Sequence, residues 1–174
     1  MIREATASDA DAIARVHRES WRTTYTGILP AAVIGQRTER QTADEWRTRI
    51  ARATPMDAVW LAEREGEVVG FASCGAARHR LGGLEAEVYA LYVLQSWQRR
   101  GVGRELLGAC ARHFVRHGEF GFYLWVLKAN RARLFYEALG GIELGEKSER
   151  IGMHSFFEVA YGWRELAPLA VAVG

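Results

Sequence analysis

The sequence predicts a mixed α/β sheet in one domain, with hairpins on its flanks and one parallel strand pair inside. Three observations carry this. Short apolar runs at 58–62 and 68–74 are joined by the turn Arg64-Glu65-Gly66-Glu67, the signature of a hairpin. Residues 86–94, then the stripe Val102, Leu106, Cys110 and Phe114, then residues 120–126 read as strand, helix and strand. Such a unit closes as a parallel pair with a right-handed crossover. A chain of 174 residues is about one domain, long enough to bury a sizeable core.

In order, residues 2–5 form a short strand, ended by Thr6-Ala7-Ser8-Asp9. Small polar side chains there accept from free backbone N–H groups and start a helix that runs to about Tyr25. Thr26-Gly27-Ile28-Leu29-Pro30 breaks it, and 40–52, rich in charge and good helix formers, is the second helix. The hairpin follows. Residues 86–94 are the strongest strand, dense enough in aromatic and apolar residues to be buried on both faces. A long amphipathic helix begins at Val102. Residues 130–139 form a short helix closed by Gly140-Gly141, and 142–149 pairs with 153–163. The domain is expected over 1–165, with 166–174 as an apolar tail that no pattern places.

Composition narrows the function classes. Lys+Arg 23 against Asp+Glu 21 gives a formal +2, too little to attract nucleic acid in bulk. Cys74 and Cys110 show no Cys-x-x-Cys spacing, which argues against a disulfide framework or a structural zinc and for a reducing compartment. No apolar run approaches the ~18 residues of a membrane span, and none follows Met1-Ile2-Arg3-Glu4 as a secretory signal would. A soluble, cytoplasmic protein is expected.

Chemistry concentrates between the strong strand and the long helix, at Gln98-Arg99-Arg100-Gly101-Val102-Gly103-Arg104. Two glycines one residue apart let the backbone turn sharply and approach a ligand. The free N–H groups of a helix start favour negative charge, and three arginines add to it, so an anion site follows. It is not a P-loop, because Gly103-Arg104-Glu105 lacks the metal-binding hydroxyl, and not a dinucleotide fingerprint, because Leu106 stands where a small residue is needed.

Tyr89-Ala90-Leu91-Tyr92-Val93 followed by Gln98-x-x-Gly101-x-Gly103 resembles the acyl-CoA-binding motif of the GCN5-related N-acetyltransferases (GNAT). Downstream, Asn130-x-Ala132-x-x-Phe135-Tyr136-Glu137-x-x-Gly140 is similar to that family's second signature. The resemblance covers nearly the whole chain. It implies a mostly antiparallel sheet whose central parallel pair splays at the acyl-CoA site, with helices on both faces. It also implies an enzyme that moves an acetyl group from acetyl-CoA directly to an amine.

The resemblance implies further that the diphosphate of acetyl-CoA rests on Gln98 to Arg104, and that the pantetheine arm runs between 86–94 and 120–126. Asn130 would bind the arm, and a backbone N–H near Tyr92 or Val93 would stabilise the oxyanion. Tyr136 would protonate the leaving thiolate. Glu87, on the strand beneath the thioester, is the expected base, ahead of Glu85. Trp21 and Tyr25 would build the acceptor wall together with Glu87.

The other chemistry-bearing residues read as structural. His113 and His117 are four apart, but Phe114 replaces the glutamate of the metalloprotease pattern, so they are expected at the helix C-terminus with no metal. Cys110 lies on the apolar stripe as a small buried residue. Two rival readings stand. One is a non-catalytic acyl-CoA-binding module, or a transferase of another acyl group. The other is a nucleic-acid-binding domain using Arg99, Arg100 and Arg104 with Trp97 as a stacking ring. No membrane or nucleic-acid partner is expected, and exposed edge strands would allow a homodimer.

Overall fold

Every strand and helix read from the sequence is present, in the expected order. The computed structural model describes residues 1–151 and 153–171. Strand β1 (Ile2–Glu4) leads to helices α1 (Ala10–Tyr25), α2 (Ala31–Ile34) and α3 (Glu39–Ala51), then to strands β2 (Ala58–Arg64), β3 (Glu67–Leu81) and β4 (Leu84–Val93). Helix α4 (Val102–Arg116), strand β5 (Phe122–Leu127), helix α5 (Ala132–Ala138), strands β6 (Ile142–Ile151) and β7 (His154–Trp163) and helix α6 (Ala167–Ala170) complete it. The seven strands run in the order β1-β2-β3-β4-β5-β7-β6, antiparallel except for β4 beside β5.

Local chemistry sets the element ends. Asp9 accepts from the Thr6 backbone N–H at 2.8 Å ahead of α1. Thr38 and Gln41 cap α3 reciprocally, each side chain accepting from the other's backbone N–H, at 3.2 and 2.8 Å. Strand β3 outruns its predicted end because its outer half, through Arg78, His79 and Arg80, is an exposed hairpin arm that reads as loop. Phe120, taken as the start of β5, is exposed and precedes the strand.

The sheet is covered on both faces. On one, Phe71 packs against Trp46 of α3 and His17 of α1. On the other, Trp60 meets His113 of α4, and Trp163 meets Tyr136 of α5. The expected tail begins inside the core: Leu166 and Leu169 are buried, and Arg112 of α4 donates to the Ala170 carbonyl at 3.0 Å. Residues 172–174 of it lie outside the described residues. No described helix is long and apolar enough to cross a membrane.

Two departures from regular pairing shape the centre. Ala90 faces Ser73 and Val88 faces Cys74, so Tyr89 has no partner on β3 and forms a β-bulge. Beside it, β4 and β5 pair at Glu87 and Tyr123 alone among the described residues. Beyond that point the strands part. Hence β4, expected to be buried on both faces, is buried at Ala86, Glu87 and Val88 and half-buried from Tyr89 to Val93.

Candidate active site

A cavity of about 860 Å³ opens where β4 and β5 diverge, walled by Val88 to Val93 on one strand and Leu124 to Leu127 on the other. It passes through the sheet. Trp21, Tyr25 and Ile28 line it from the α1 side, and Gly101, Gly103 and Tyr136 from the α4–α5 side.

At the α4 end, Gln98, Arg99, Gly101, Gly103 and Arg104 all line the cavity. Gly101 holds a left-handed backbone, φ +84°, as the cap of α4, and Arg99 does so at φ +58°. The backbone N–H groups of Arg99 to Arg104 donate to no acceptor among the described residues. Free N–H groups at a glycine-bearing helix start are able to receive an anion. Gln98 donates to the Val93 carbonyl at 3.1 Å and ties the loop to β4. Two residues of the stretch stand apart: Val102 is buried in the core, and Arg100 lies over the Trp97 ring, 5.0 Å from its centroid. That contact occupies one face of the ring which the nucleic-acid reading required for stacking.

The open edge of β4 follows from strand alternation. Leu94 donates to the Val69 carbonyl at 2.9 Å, so in the antiparallel β3–β4 pair Leu94, Tyr92 and Ala90 turn their amides toward β3. Leu91 and Val93 turn theirs toward the gap. The two residues expected near the oxyanion thus differ in direction. The Val93 N–H faces the cavity side, and the Tyr92 N–H is turned away.

Side chains organise the middle. Trp21 donates from Nε1 to the Tyr92 hydroxyl at 2.9 Å and packs edge-on against Tyr25. Tyr92 stacks on His17, whose imidazole burial pushes down to about 4; its Nδ1 accepts from Trp46 at 3.1 Å, so it is neutral. Asn130 lines the cavity while its Oδ1 accepts from the Ala132 N–H at 2.9 Å, which leaves its amide nitrogen to face inward or outward. Tyr136 is buried but lines the cavity, and no hydrogen bond acts on its hydroxyl among the described residues. Burial, and then the nearby Tyr25, push its phenol well up, so it holds its proton at neutral pH.

The profile of the Acetyltransferase (GNAT) family matches residues 13–141. The chain belongs to this family. An uncharacterised N-acetyltransferase of Bacillus subtilis, YuaI, is 36% identical over 169 residues, 97% of this chain and 95% of that one. The fold is shared with the PaiA N-acetyltransferase of Thermoplasma acidophilum, solved in complex with coenzyme A. That likeness has a TM-score of 0.70 at 20% identity and covers 91% of this chain and 96% of that one. It is shared equally with a ribosomal-protein-alanine N-acetyltransferase of Brucella melitensis, with a TM-score of 0.71 at 20% identity over 94% and 99%. The protein is a GNAT N-acetyltransferase.

In this GNAT chain Glu87 does not reach the cavity wall, which corrects its expected place beneath the thioester. The bulge at Tyr89 and the closed pairing with Tyr123 bury its carboxylate, 1% exposed. There it accepts from the Arg78 backbone N–H at 3.0 Å, the Arg78 Nε at 3.1 Å and the Tyr123 hydroxyl at 3.3 Å. Glu85 lies further out, exposed and paired with Arg80. Glu87→Gln is therefore expected to cost about 1–3 kcal/mol of stability, the worth of charge-assisted bonds, in urea unfolding. The acidic limb of the pH–rate profile should not move; a flattened limb would return Glu87 to the chemistry.

The carboxylate that does line the cavity is Glu158 on β7, near Trp125 and Leu127 of β5. Sequence reading passed over it, because only the antiparallel β5–β7 pairing brings it to this wall. His113 and His117 lie where they are expected, near the end of α4, with His117 Nδ1 bonding the His113 carbonyl at 2.9 Å. Cys74 and Cys110 are free and buried, and burial followed by the Cys74 neighbour pushes the Cys110 thiol well up, so it is no nucleophile.

Proposed function

We propose that the protein transfers the acetyl group of acetyl-CoA directly to an amine of a small molecule or peptide, in a ternary complex within the through-sheet cavity. One observation carries this reading. A single cavity has free backbone N–H groups at its α4 end, a protonated phenol in its middle and an aromatic wall with one carboxylate at its other end. The residues suit the donor: a diphosphate matches the cradle at Gln98 to Arg104, and the amides of a pantetheine arm match the unpaired edge of β4.

When bound, acetyl-CoA supplies an activated acetyl ester. The cradle fixes its phosphates, and the Leu91 and Val93 amides hold the arm and polarise the carbonyl. Trp21 and Tyr25 hold the acceptor on the opposite side, so donor and amine meet through the sheet. The amine lone pair forms the new C–N bond as the C–S bond breaks. Tyr136 gives its proton to the departing sulfur, and the ammonium proton passes to water at the cavity mouth, from which Tyr136 is reprotonated. The same burial that raises the phenol also disfavours a free thiolate beside it, so the proton is delivered as the C–S bond breaks and no separate thiolate has to form.

The test is thiol release with acetyl-CoA and bulkier acyl donors against a panel of amines. Saturable, amine-dependent release with acetyl-CoA preferred is the expected result. Donor binding with no release from any amine would leave a binding module instead.

A further inference from the structure

We propose that Glu158 and Trp125 form a subsite for a second cationic group of the acceptor, so that diamines are favoured over monoamines. The proposal rests on the acetyl-transfer reading above and adds to it the chemical class of the acceptor.

The subsite is visible because one of the protein's own side chains fills it. The Lys147 ammonium stands 3.1 Å from the Glu158 carboxylate and 4.4 Å from the centroid of the Trp125 ring. A carboxylate on one side and an aromatic face on the other are what an alkylammonium needs on leaving water. Both partners line the cavity, whereas Lys147 reaches them from β6 outside its wall. A substrate ammonium entering through the cavity finds the same two groups.

Displacing Lys147 is inexpensive. Its ammonium also lies 3.4 Å from Glu149 on its own strand, so it keeps an ion pair when it yields Glu158. The pair it gives up is partly exposed and of small worth, and the ligand's ammonium takes its place on Glu158. The neighbouring cation Lys128 is already paired with Glu146 at 2.6 Å, and the residue opposite Glu158 on β5 is the apolar Leu127. Apart from Lys147 no ion pair holds Glu158 among the described residues, and its carboxylate helps push up the phenol of Tyr25, which lines the same cavity. The first amine is placed at the reaction centre and the second at the β7 wall.

The test compares putrescine with n-butylamine, equal in carbon chain and different in the second charge. In the unmodified protein kcat/KM for putrescine is expected at least about tenfold above that for butylamine, about the worth of one charge-assisted contact. Glu158→Gln should bring the ratio to about one, chiefly by raising KM for putrescine. Lys147→Met, which removes the internal competitor, should lower KM for putrescine and not for butylamine. Calorimetric titration of both amines into the protein with acetyl-CoA reads the same preference without turnover. Equal affinity for the two amines, or an equal loss of both in Glu158→Gln at unchanged melting temperature, would overturn the subsite. Absence of transfer to either amine with the binding preference intact would overturn the acetyl-transfer reading and leave the subsite standing.

Discussion

Tyr136→Phe is expected to lower kcat by about 100-fold, the lower range for loss of a positioned general acid, with the affinity for acetyl-CoA almost unchanged. The argument is geometric. The tyrosine ring is buried between α5 and the sheet, against Trp163 and Tyr161, and phenylalanine keeps those contacts. No hydrogen bond acts on the hydroxyl among the described residues, so its removal leaves no partner unsatisfied. Stability should therefore hold or rise slightly in thermal unfolding. Only a role at the cavity predicts a large kinetic loss with an intact fold. Steady-state thiol release together with donor titration makes the separation, and a kcat within about threefold of the unmodified enzyme would remove Tyr136 from the chemistry.

What the sequence made legible follows from how each signal is encoded. The proposed anion cradle is local: Gly101 and Gly103, one residue apart at a helix start, state its backbone geometry without any distant partner. The strand, helix and strand around it are likewise read from short-range periodicity, and so is the parallel pair they imply. The β-bulge is not local in this sense. Strict alternation places Glu87 and Tyr92, five apart, on opposite faces. The unpaired Tyr89 reverses the count, so Glu87 faces Tyr123 on the side where Tyr92 meets α1. That one insertion explains why the carboxylate nearest the motif is closed off by Arg78 instead of lying open beneath the donor. Glu158 was illegible for the converse reason. Its neighbours Lys147, Trp125 and Leu127 come from two other strands, and a lone charge in an amphipathic strand reads as solvated.

Gly103→Trp carries the second large effect, loss of measurable acetyl-CoA binding. A Cβ built on Gly103 would stand 3.1 Å from Phe135 Cζ, because α5 lies directly against the first turn of α4. The absent side chain is what allows both helices to border the same cavity. An indole at this position has two places to go. Turned toward α5, it drives out Phe135, and overpacking of this kind costs about 1–3 kcal/mol. Turned along the wall, it occupies the room beside the free N–H groups of Arg99 to Arg104. Either way the new Cβ presses on Phe135, but the second course asks the ring to give by only a few tenths of an ångström, so the indole should lie in the cradle, and titration with acetyl-CoA should show affinity reduced at least about 100-fold, the scale on which several charge-assisted phosphate contacts are lost together. A variant that melts lower but binds the donor normally would mean that the indole had displaced Phe135 and that the phosphates rest elsewhere. The cradle, and with it the direction in which the acetyl group is aimed through the sheet, would then be wrong.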